Sequence, residues 1–148
     1  MTDGMSMFKA MDISASGLTA QRFRMDVIAE NIANMDTTRT ENGEPYRRRV
    51  TVFEQQPGES FSSYLSSAAS DASGGVRVAG VVEDPSALKL EYDPENPDAN
   101  EEGYVEKPNV DVVTEMVDMI SASRSYEANV TAINASKDMC MKALEIGR

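Results

Sequence analysis

Apolar residues at alternating steps of four and three run through both ends of this chain. In the N-terminal part only Ser14 and Gln21 interrupt the series Met7, Met11, Ser14, Leu18, Gln21, Met25, Ile28, Ile32 and Met35. This spacing places the side chains along one seam of an α-helix, because three or four residues advance the chain by about one turn. We predict a long amphipathic helix from Met7 to Met35, with Gly17 as its one weak point.

The C-terminal part repeats this spacing. Only Ser123 and Lys137 interrupt the series Val112, Met116, Met119, Ser123, Tyr126, Val130, Ile133, Lys137, Cys140 and Leu144. Pro108 and Asn109 supply a start signal, and Gly147 supplies a stop. At about 1.5 Å per residue the two helices would be on the order of 40 and 50 Å long. A small domain does not need that length, so we expect contacts outside the monomer to use it.

The middle of the chain, Thr37 to Lys107, changes to a period of two. After Pro45 two sets of side chains alternate along residues 46–53: Tyr46, Arg48, Val50 and Val52 in one set, and Arg47, Arg49, Thr51 and Phe53 in the other. This alternation predicts a short strand that contains three consecutive arginines. Successive side chains of a strand point to opposite faces, so these arginines cannot form one patch, and we expect nearby carboxylates as their partners. Residues 76–82 and 88–92 predict further strands. Residues 59–75 are rich in Ser, Ala and Gly and predict a mobile surface loop.

The sequence therefore predicts an α+β fold in which long N- and C-terminal helices pair antiparallel, like a coiled coil, with a small β-rich region between them. We divide the chain into an N-terminal helix (residues 1–36), a β region (37–109) and a C-terminal helix (110–148), the two helices forming one helical domain. The predicted contacts between helices or subunits are Met11, Leu18, Met25, Ile28, Ile32, Val112, Met116, Met119, Tyr126, Val130, Ile133, Cys140 and Leu144.

Composition argues against several classes of function. The chain has 14 Lys and Arg against 25 Asp and Glu, a net charge of -11, which disfavours binding to nucleic acid. It has no histidine and one cysteine, Cys140, so it lacks the usual general base and the usual zinc ligands. We expect no enzymatic activity, metal or cofactor.

No apolar run reaches the ~20 residues of a membrane span, and the first residues lack the order of a secretory signal. By themselves these features suggest a cytosolic protein.

One segment imitates a calcium-binding loop. Asp98, Asn100 and Glu102 occupy its first, third and fifth positions, and Gly103 occupies the sixth. The twelfth position, which requires a bidentate glutamate, is Asn109. We therefore expect a solvated acidic turn rather than a calcium site.

Two asparagines, Asn31 and Asn34, lie where the first helix is predicted to end. Asparagine tolerates left-handed backbone angles, and its side chain can bond freed backbone groups. On composition alone, the simplest interpretation of this segment is an ordinary C-cap followed by a turn.

The motifs themselves resemble those of a known family. The segment from Asn31 to Tyr46 is similar to the Asn-x-x-Asn turn that follows the N-terminal helix in flagellar axial proteins, the rod and hook group. Further segments resemble the proximal-rod members: PYRRR (45–49), GVRV (75–78), YDPENPDANEEGYV (92–105), PNVDVVTEMV (108–117) and SRSYEANV (123–130). The motif residues of the turn and strand are Asn31, Asn34, Pro45, Tyr46, Arg47, Arg48 and Arg49. The resemblance covers nearly the whole chain in order.

This resemblance implies a structural subunit of the flagellar proximal rod, which assembles helically through its terminal helices around an export channel. Its implied partners are copies of itself, other proximal and distal rod proteins, a basal-body adaptor at the export gate, and the flagellar type III export apparatus. The implied location is the basal body within the cell envelope, in the periplasm, after export, which replaces the cytosolic interpretation. The alternative is a cytosolic helical adaptor or secretion chaperone, which accounts for the charge and the helices but not for the β region.

Overall fold

The structure, a computed structural model, describes residues 3–57 and 73–146. The element order is α1 (Asp3–Ala33), β1 (Arg49–Pro57), β2 (Ser73–Glu83), β3 (Lys89–Tyr92), β4 (Tyr104–Lys107) and α2 (Val112–Ile146). Two long helices with short strands between them give the predicted α+β fold. Residues 59–72 of the predicted mobile loop and the predicted stop at Gly147 lie outside the described residues, whereas residues 73–75 begin β2.

The strands form two separate two-stranded sheets in the described part of the chain, one of β1 with β2 and one of β3 with β4. β3 and β4 are antiparallel, with Leu90 opposite Glu106 and Tyr92 opposite Tyr104. The prediction placed the three arginines in one strand, which is wrong, since β1 begins only at Arg49. The backbone N–H of Arg48 donates instead to the Oδ1 of Asn109, at 2.8 Å.

β4 was not predicted, because its four residues lie in the acidic segment that resembles a turn. Val105 is the one buried residue of this strand, so the alternation of buried and exposed side chains depends on it alone. A period of two cannot be recognised from a single apolar position. The turn before β4 is built from local bonds: the Oδ1 of Asn100 accepts hydrogen bonds from the N–H groups of Glu102 and Tyr104. Two residues of the calcium-like segment, Asn100 and Glu102, thus take part in a turn.

The chain divides into two compact units, which we describe one at a time. Of the described residues, the first unit contains 3–23, 53–57, 73–79 and 122–146. Among its described residues the buried side chains are small, Ala20 from α1 and Ala122 from α2. A Cβ atom added to Gly17 would lie 3.1 Å from the side-chain amide of Asn129. The helices therefore approach closely here, and the predicted weak point Gly17 is a packing position.

The second unit comprises residues 24–52 and 80–121. Its apolar core contains Val27, Ile28, Tyr46, Val105 and Val110. Within this unit Arg24 of α1 bonds Asp118 of α2, and Asn31, later in α1, bonds Glu115, earlier in α2. The two helices therefore run in opposite directions here, as predicted.

Membrane insertion of the helices finds no support in the part of the chain that the structure describes: neither α1 nor α2 has a stretch apolar enough to cross a bilayer.

Gly75 in β2 allows a close contact with α1 inside the first unit. Its φ is +99°, and an added Cβ would collide with the Oγ of Ser16. That Oγ donates to the carbonyl of Ile13 at 2.6 Å and accepts the N–H of Val76 at 3.0 Å. A side chain at this position would strain the backbone and displace the hydroxyl that joins the strand to the helix.

We predict that Gly75→Ala lowers the free energy of unfolding by roughly 1–3 kcal/mol, the usual cost of a strained backbone conformation. The matched control is Gly80→Ala on the same strand, where an added Cβ has open space. Urea unfolding followed by circular dichroism would measure both variants. Equal midpoints for the two would contradict the strain at Gly75.

Candidate functional site: a buried polar cluster

A buried polar cluster joins three segments of the second unit. Its members are Asn31 in α1, Tyr46 and Arg48 in the segment before β1, and Glu115 in the first turn of α2. Asn31 and Glu115 are the buried polar side chains of the described residues, with 1% and 0% of their surface exposed. Burying an unpaired polar group costs several kcal/mol, so the bonds of these groups determine what the cluster does.

Asn31 uses all four hydrogen-bonding positions of its side-chain amide. Its Nδ2 donates to the backbone carbonyl of Arg49 at 2.8 Å and to the Oε2 of Glu115 at 3.0 Å. Its Oδ1 accepts the hydroxyl of Tyr46 and the N–H of Arg49, both at 2.9 Å. Two donors and two acceptors are the full capacity of an asparagine side chain. This one side chain therefore holds the start of β1 and the first turn of α2 against α1.

Arg48 and Glu115 form the charged part of the cluster. The Nε of Arg48 donates to the Oε1 of Glu115 at 2.6 Å, and its Nη2 donates to the Oδ2 of Asp118 at 3.2 Å. The Nη1 lies 3.6 Å from the Oδ2 of Asp84. Asp118 also accepts a bond from Arg24 at 3.1 Å. One guanidinium thus lies against two carboxylates of α2 and against Asp84, the residue after β2.

The surroundings of Arg48 act on its pKa in opposite directions. Burial lowers the pKa of the guanidinium, whereas the hydrogen bond to Glu115 and the charges of Glu115, Asp118 and Asp84 raise it. The net effect raises the pKa above its ordinary value, so the group stays charged.

Tyr46 is a buried aromatic residue whose hydroxyl bonds Asn31. Burial raises the pKa of the Tyr46 hydroxyl, and the charge of Glu30 raises it further. The guanidinium of Arg49 lies 5.5 Å from the centre of the ring, in cation–π range, and also pairs with Glu30 at 2.9 Å. The phenol therefore stays protonated at neutral pH and serves as a fixed donor.

Asn109 supports the cluster from the segment before α2. Its Oδ1 accepts the N–H of Arg48, and its Nδ2 donates to the Oγ of Ser86 at 2.8 Å and to the carbonyl of Asp84 at 3.1 Å. Backbone and side-chain hydrogen bonds from Ser86 lower the pKa of the Asp84 carboxyl. The residue that looked like a start signal for α2 therefore joins the start of β1 to the end of β2.

The start of α2 is capped by Asp111. Its Oδ2 accepts the hydroxyl of Thr114 at 2.6 Å and the N–H of Thr114 at 3.3 Å. These bonds lower the pKa of the Asp111 carboxyl. An acidic N-cap also interacts favourably with the positive end of the helix dipole.

We predict that Asp111 adds an acid-sensitive contribution to stability. Because its pKa is lowered in the folded state, that contribution is complete above the unfolded value of about 3.9 and is lost as pH falls through the folded pKa. Asp111→Asn keeps a capping oxygen but removes the titration. Urea midpoints at several pH values should show the wild type falling toward the variant below about pH 4; parallel curves would contradict this account.

The chemistry of the cluster is structural. The hydrogen-bonding positions of Asn31 are filled from within the chain, and the Oε oxygens of Glu115 bond Asn31 and Arg48. Within residues 3–57 and 73–146, no group of three or more Asp, Glu or Cys side chains is arranged to hold a metal ion. The surface groove between residues 38–45 and 97–106, about 390 Å³, is lined mainly by polar groups. The hydrogen bonds of the cluster fix the positions of the segments that it joins.

The structure brings together most of the motif residues of the predicted turn and strand. Asn31, Tyr46, Arg48 and Arg49 meet in or beside the cluster, and the prediction of carboxylate partners is confirmed for the last two. Pro45 is half-buried just before them.

The remaining motif residues lie outside the cluster. Arg47 makes only a long bond to the carbonyl of Ser86, at 3.4 Å, among the described contacts. Asn34 bonds the carbonyl of Glu30 with its side chain, as a residue at a helix end does. The C-cap interpretation is wrong for Asn31, because α1 continues to Ala33.

The predicted contact residues of the two helices differ in exposure within a single chain. Ile28 is buried, Met116 and Leu144 are exposed, and the others are half-buried: Met11, Leu18, Met25, Ile32, Val112, Met119, Tyr126, Val130, Ile133 and Cys140. As contacts with other subunits they stay a prediction.

Sequence reasoning missed the role of Glu115. It lies one residue before Met116, and a series of apolar positions cannot include a glutamate. The three arginines at residues 47–49 were the signal that carboxylate partners exist. Spacing alone does not show which of the 25 acidic residues supplies them.

Two family models match parts of this chain. Residues 11–39 match the family model described as flagella basal body rod protein, and residues 101–146 match the model described as flagellar basal body rod FlgEFG protein C-terminal. The first segment contains Asn31, and the second contains Asn109 and Glu115. Both matches therefore include parts of the structure that the polar cluster joins.

Similar proteins match over nearly their full length. The flagellar basal-body rod protein FlgC of Bacillus subtilis is 59% identical, over 97% of this chain and 100% of that protein. The protein of the same name from Borreliella burgdorferi is 49% identical, over 96% of this chain and 98% of its own length. That from Escherichia coli O157:H7 is 44% identical, over 97% and 100%. The chain therefore belongs to the FlgC family of flagellar basal-body rod proteins.

Proposed function

We propose that this chain is a structural subunit of the bacterial flagellar proximal rod, which builds the drive shaft and export channel by repeating one contact between subunits. The proposal rests on family membership together with one feature of the structure, an apolar surface on α2. When identical subunits repeat a contact between two different faces and do not form a closed ring, they generate an open helical assembly.

The apolar surface is a stripe on the first two turns of α2 and the residues just after them. Val113, Met116, Val117 and Ile120 are 69%, 56%, 61% and 53% exposed. They are separated by steps of three, one and three, which place them on one side of a helix. Contiguous exposed apolar residues mark a surface that associates with another protein. We name these four residues the α2 stripe and propose that it packs on a neighbouring rod subunit.

The buried cluster supports this function by fixing the base of the stripe. Glu115 and Asp118 lie on the inward side of the same turns and are held by Arg48. Directional hydrogen bonds define the position of a helix more sharply than apolar contacts alone, which tolerate sliding. A subunit that transmits torque needs such a fixed joint between its helices and its β region.

We further propose that the half-buried seam residues of α1 and α2 take part in packing between subunits, and that the partners include other proximal and distal rod proteins. Export through the flagellar type III apparatus, and a final position in the periplasmic part of the basal body, belong to the same proposal. The names of the related proteins support the basal body as the location. A structural role also implies that the chain is not an enzyme.

We predict that Val117→Asp abolishes incorporation into basal bodies while changing the stability of the monomer by about 0.5 kcal/mol or less, because surface substitutions rarely do more. The matched control is Val82→Asp in β2, at a valine that is also more than half exposed. Motility in soft agar and immunoblots of purified basal bodies would compare the variants. Normal swimming of the Val117→Asp strain would exclude the α2 stripe as an essential contact.

The function itself is tested by quantitative mass spectrometry of detergent-extracted basal bodies beside the soluble lysate. A rod subunit is enriched in the particles at a fixed ratio to the other rod proteins. A chain that is found only in the soluble pool would instead be a cytosolic adaptor or secretion chaperone.

A further inference from the structure

The β3–β4 sheet exposes an apolar face that is distinct from the α2 stripe. In this antiparallel pair Leu90 lies opposite Glu106, and Tyr92 lies opposite Tyr104. Side chains of a strand alternate between its faces, so these four share one face and Val105 belongs to the other. Val105 is buried at 1% exposure, whereas Leu90 and Tyr92 are each 65% exposed. The face that carries Val105, the inner face, therefore packs on the rest of the second unit, and the face that carries Leu90 and Tyr92, the outer face, is open to solvent.

The open face is ordered by contacts within the sheet. The rings of Tyr92 and Tyr104 meet edge to face, with centroids 5.3 Å apart. Gly103 has a φ of +82°, and a Cβ there would lie 3.0 Å from the Cε2 of Tyr92, so the turn is closed tightly against this ring. On the inner face the Nζ of Lys107 pairs with Glu91. Two aromatic rings held in place present a rigid apolar surface that loses little entropy on binding.

The charged residues around this face are mainly acidic. From Leu90 to Glu106 the chain contains Asp and Glu residues but no Lys or Arg. The acidic residues are Glu91, Asp93, Glu95, Asp98, Glu101, Glu102 and Glu106, of which Glu91 is paired with Lys107 on the inner face. Arg39, on the neighbouring groove, is the basic residue of that lining and pairs with Asp98 at 3.5 Å. Complementary charge steers association and excludes partners of like charge.

We propose that the outer face of the β3–β4 sheet, centred on Leu90, Tyr92 and Tyr104, docks a basic surface of a different protein of the basal body. A second copy of this chain is disfavoured as the occupant of this acidic-rimmed face, because many of its basic side chains already pair with carboxylates of their own chain: Arg24, Arg39, Arg48, Arg49, Arg77 and Lys107. The inference rests on the proposed function, since it names a partner for a rod subunit.

The test uses a photoreactive amino acid at one position of the full-length protein, expressed in cells that assemble flagella. In one strain the photoreactive amino acid replaces Leu90 and reports on the sheet face. In a second strain it replaces Val113 and reports on the α2 stripe. Basal bodies are purified after irradiation, and the cross-linked peptides are identified by mass spectrometry. A charge reversal, Glu106→Lys, is added to the Leu90 strain, with Glu127→Lys on α2 as its control.

We expect the probe at Leu90 to cross-link a different protein, at a peptide with more Lys and Arg than Asp and Glu. We also expect Glu106→Lys to lower that yield several-fold while Glu127→Lys leaves it unchanged. A cross-link to a second copy of this chain, to an acidic peptide, or to nothing while the probe at Val113 reacts would overturn the inference and leave the rod function intact. Absence of the chain from purified basal bodies would instead overturn the proposed function.

Discussion

Replacing Arg48 with methionine should lower the free energy of unfolding by about 3–5 kcal/mol, the cost of leaving a buried charge without its partner. The Arg48 guanidinium donates to the Glu115 carboxylate at 2.6 Å, and that carboxylate is fully buried. Without Arg48, Glu115 keeps only the bond from Asn31 among its described side-chain contacts. Methionine preserves much of the apolar length of the arginine stem, so the loss reports mainly on the charge.

The matched control is Arg77→Met. Arg77 pairs with Glu54 at 2.9 Å, but both side chains are about half exposed. Exposed pairs contribute about 1 kcal/mol or less, so this variant should unfold at nearly the wild-type urea concentration. Equal losses of unfolding free energy for Arg48→Met and Arg77→Met would show that the burial of Glu115 does not determine the size of the loss.

A second substitution in the cluster separates charge from packing. Glu115→Gln removes the buried charge and keeps an oxygen that accepts the bond from Asn31. The double variant Arg48→Met with Glu115→Gln should therefore be more stable than Arg48→Met alone, because no uncompensated charge remains. A double variant less stable than Arg48→Met would contradict this explanation.

The second large effect is expected for Asn31→Asp. The substitution removes the Nδ2 that donates to Arg49 and Glu115, and it places a new carboxylate about 3 Å from the Glu115 carboxylate. Two like charges at about 4 Å repel by about 4 kcal/mol at an effective dielectric constant of about 20. The variant should lose stability on that scale at neutral pH.

The pH dependence of this variant gives an independent check. Repulsion raises the pKa of one of the two carboxyl groups in the folded state, so stability is recovered as pH falls through that raised value. Asn34→Asp, three residues later on α1, is the matched control: its side chain bonds a helix carbonyl and no carboxylate. Urea unfolding at pH 5 and pH 8 should separate the two variants, and equal responses would contradict the repulsion.

The features predicted correctly are those that depend on residues close together in the sequence. Both helices were predicted because a seam of apolar residues repeats over many turns, and a long period is recognisable without knowledge of the partner. The strands at 76–82 and 88–92 were found within β2 and within one residue of β3. The start of β1 was misplaced, because the N–H of Arg48 bonds a side chain 61 residues away.

By itself, the sequence determined the α+β class, the two long helices and the family, since each depends on residues close together or on motifs in a fixed order. Only the tertiary structure decided that Asn31 is the centre of a polar cluster rather than a helix cap, and that Glu115, among 25 acidic residues, is its buried anion. The partners of Asn31 lie 15, 18 and 84 residues away. A hydrogen bond requires a distance near 3 Å, which folding sets and sequence separation does not.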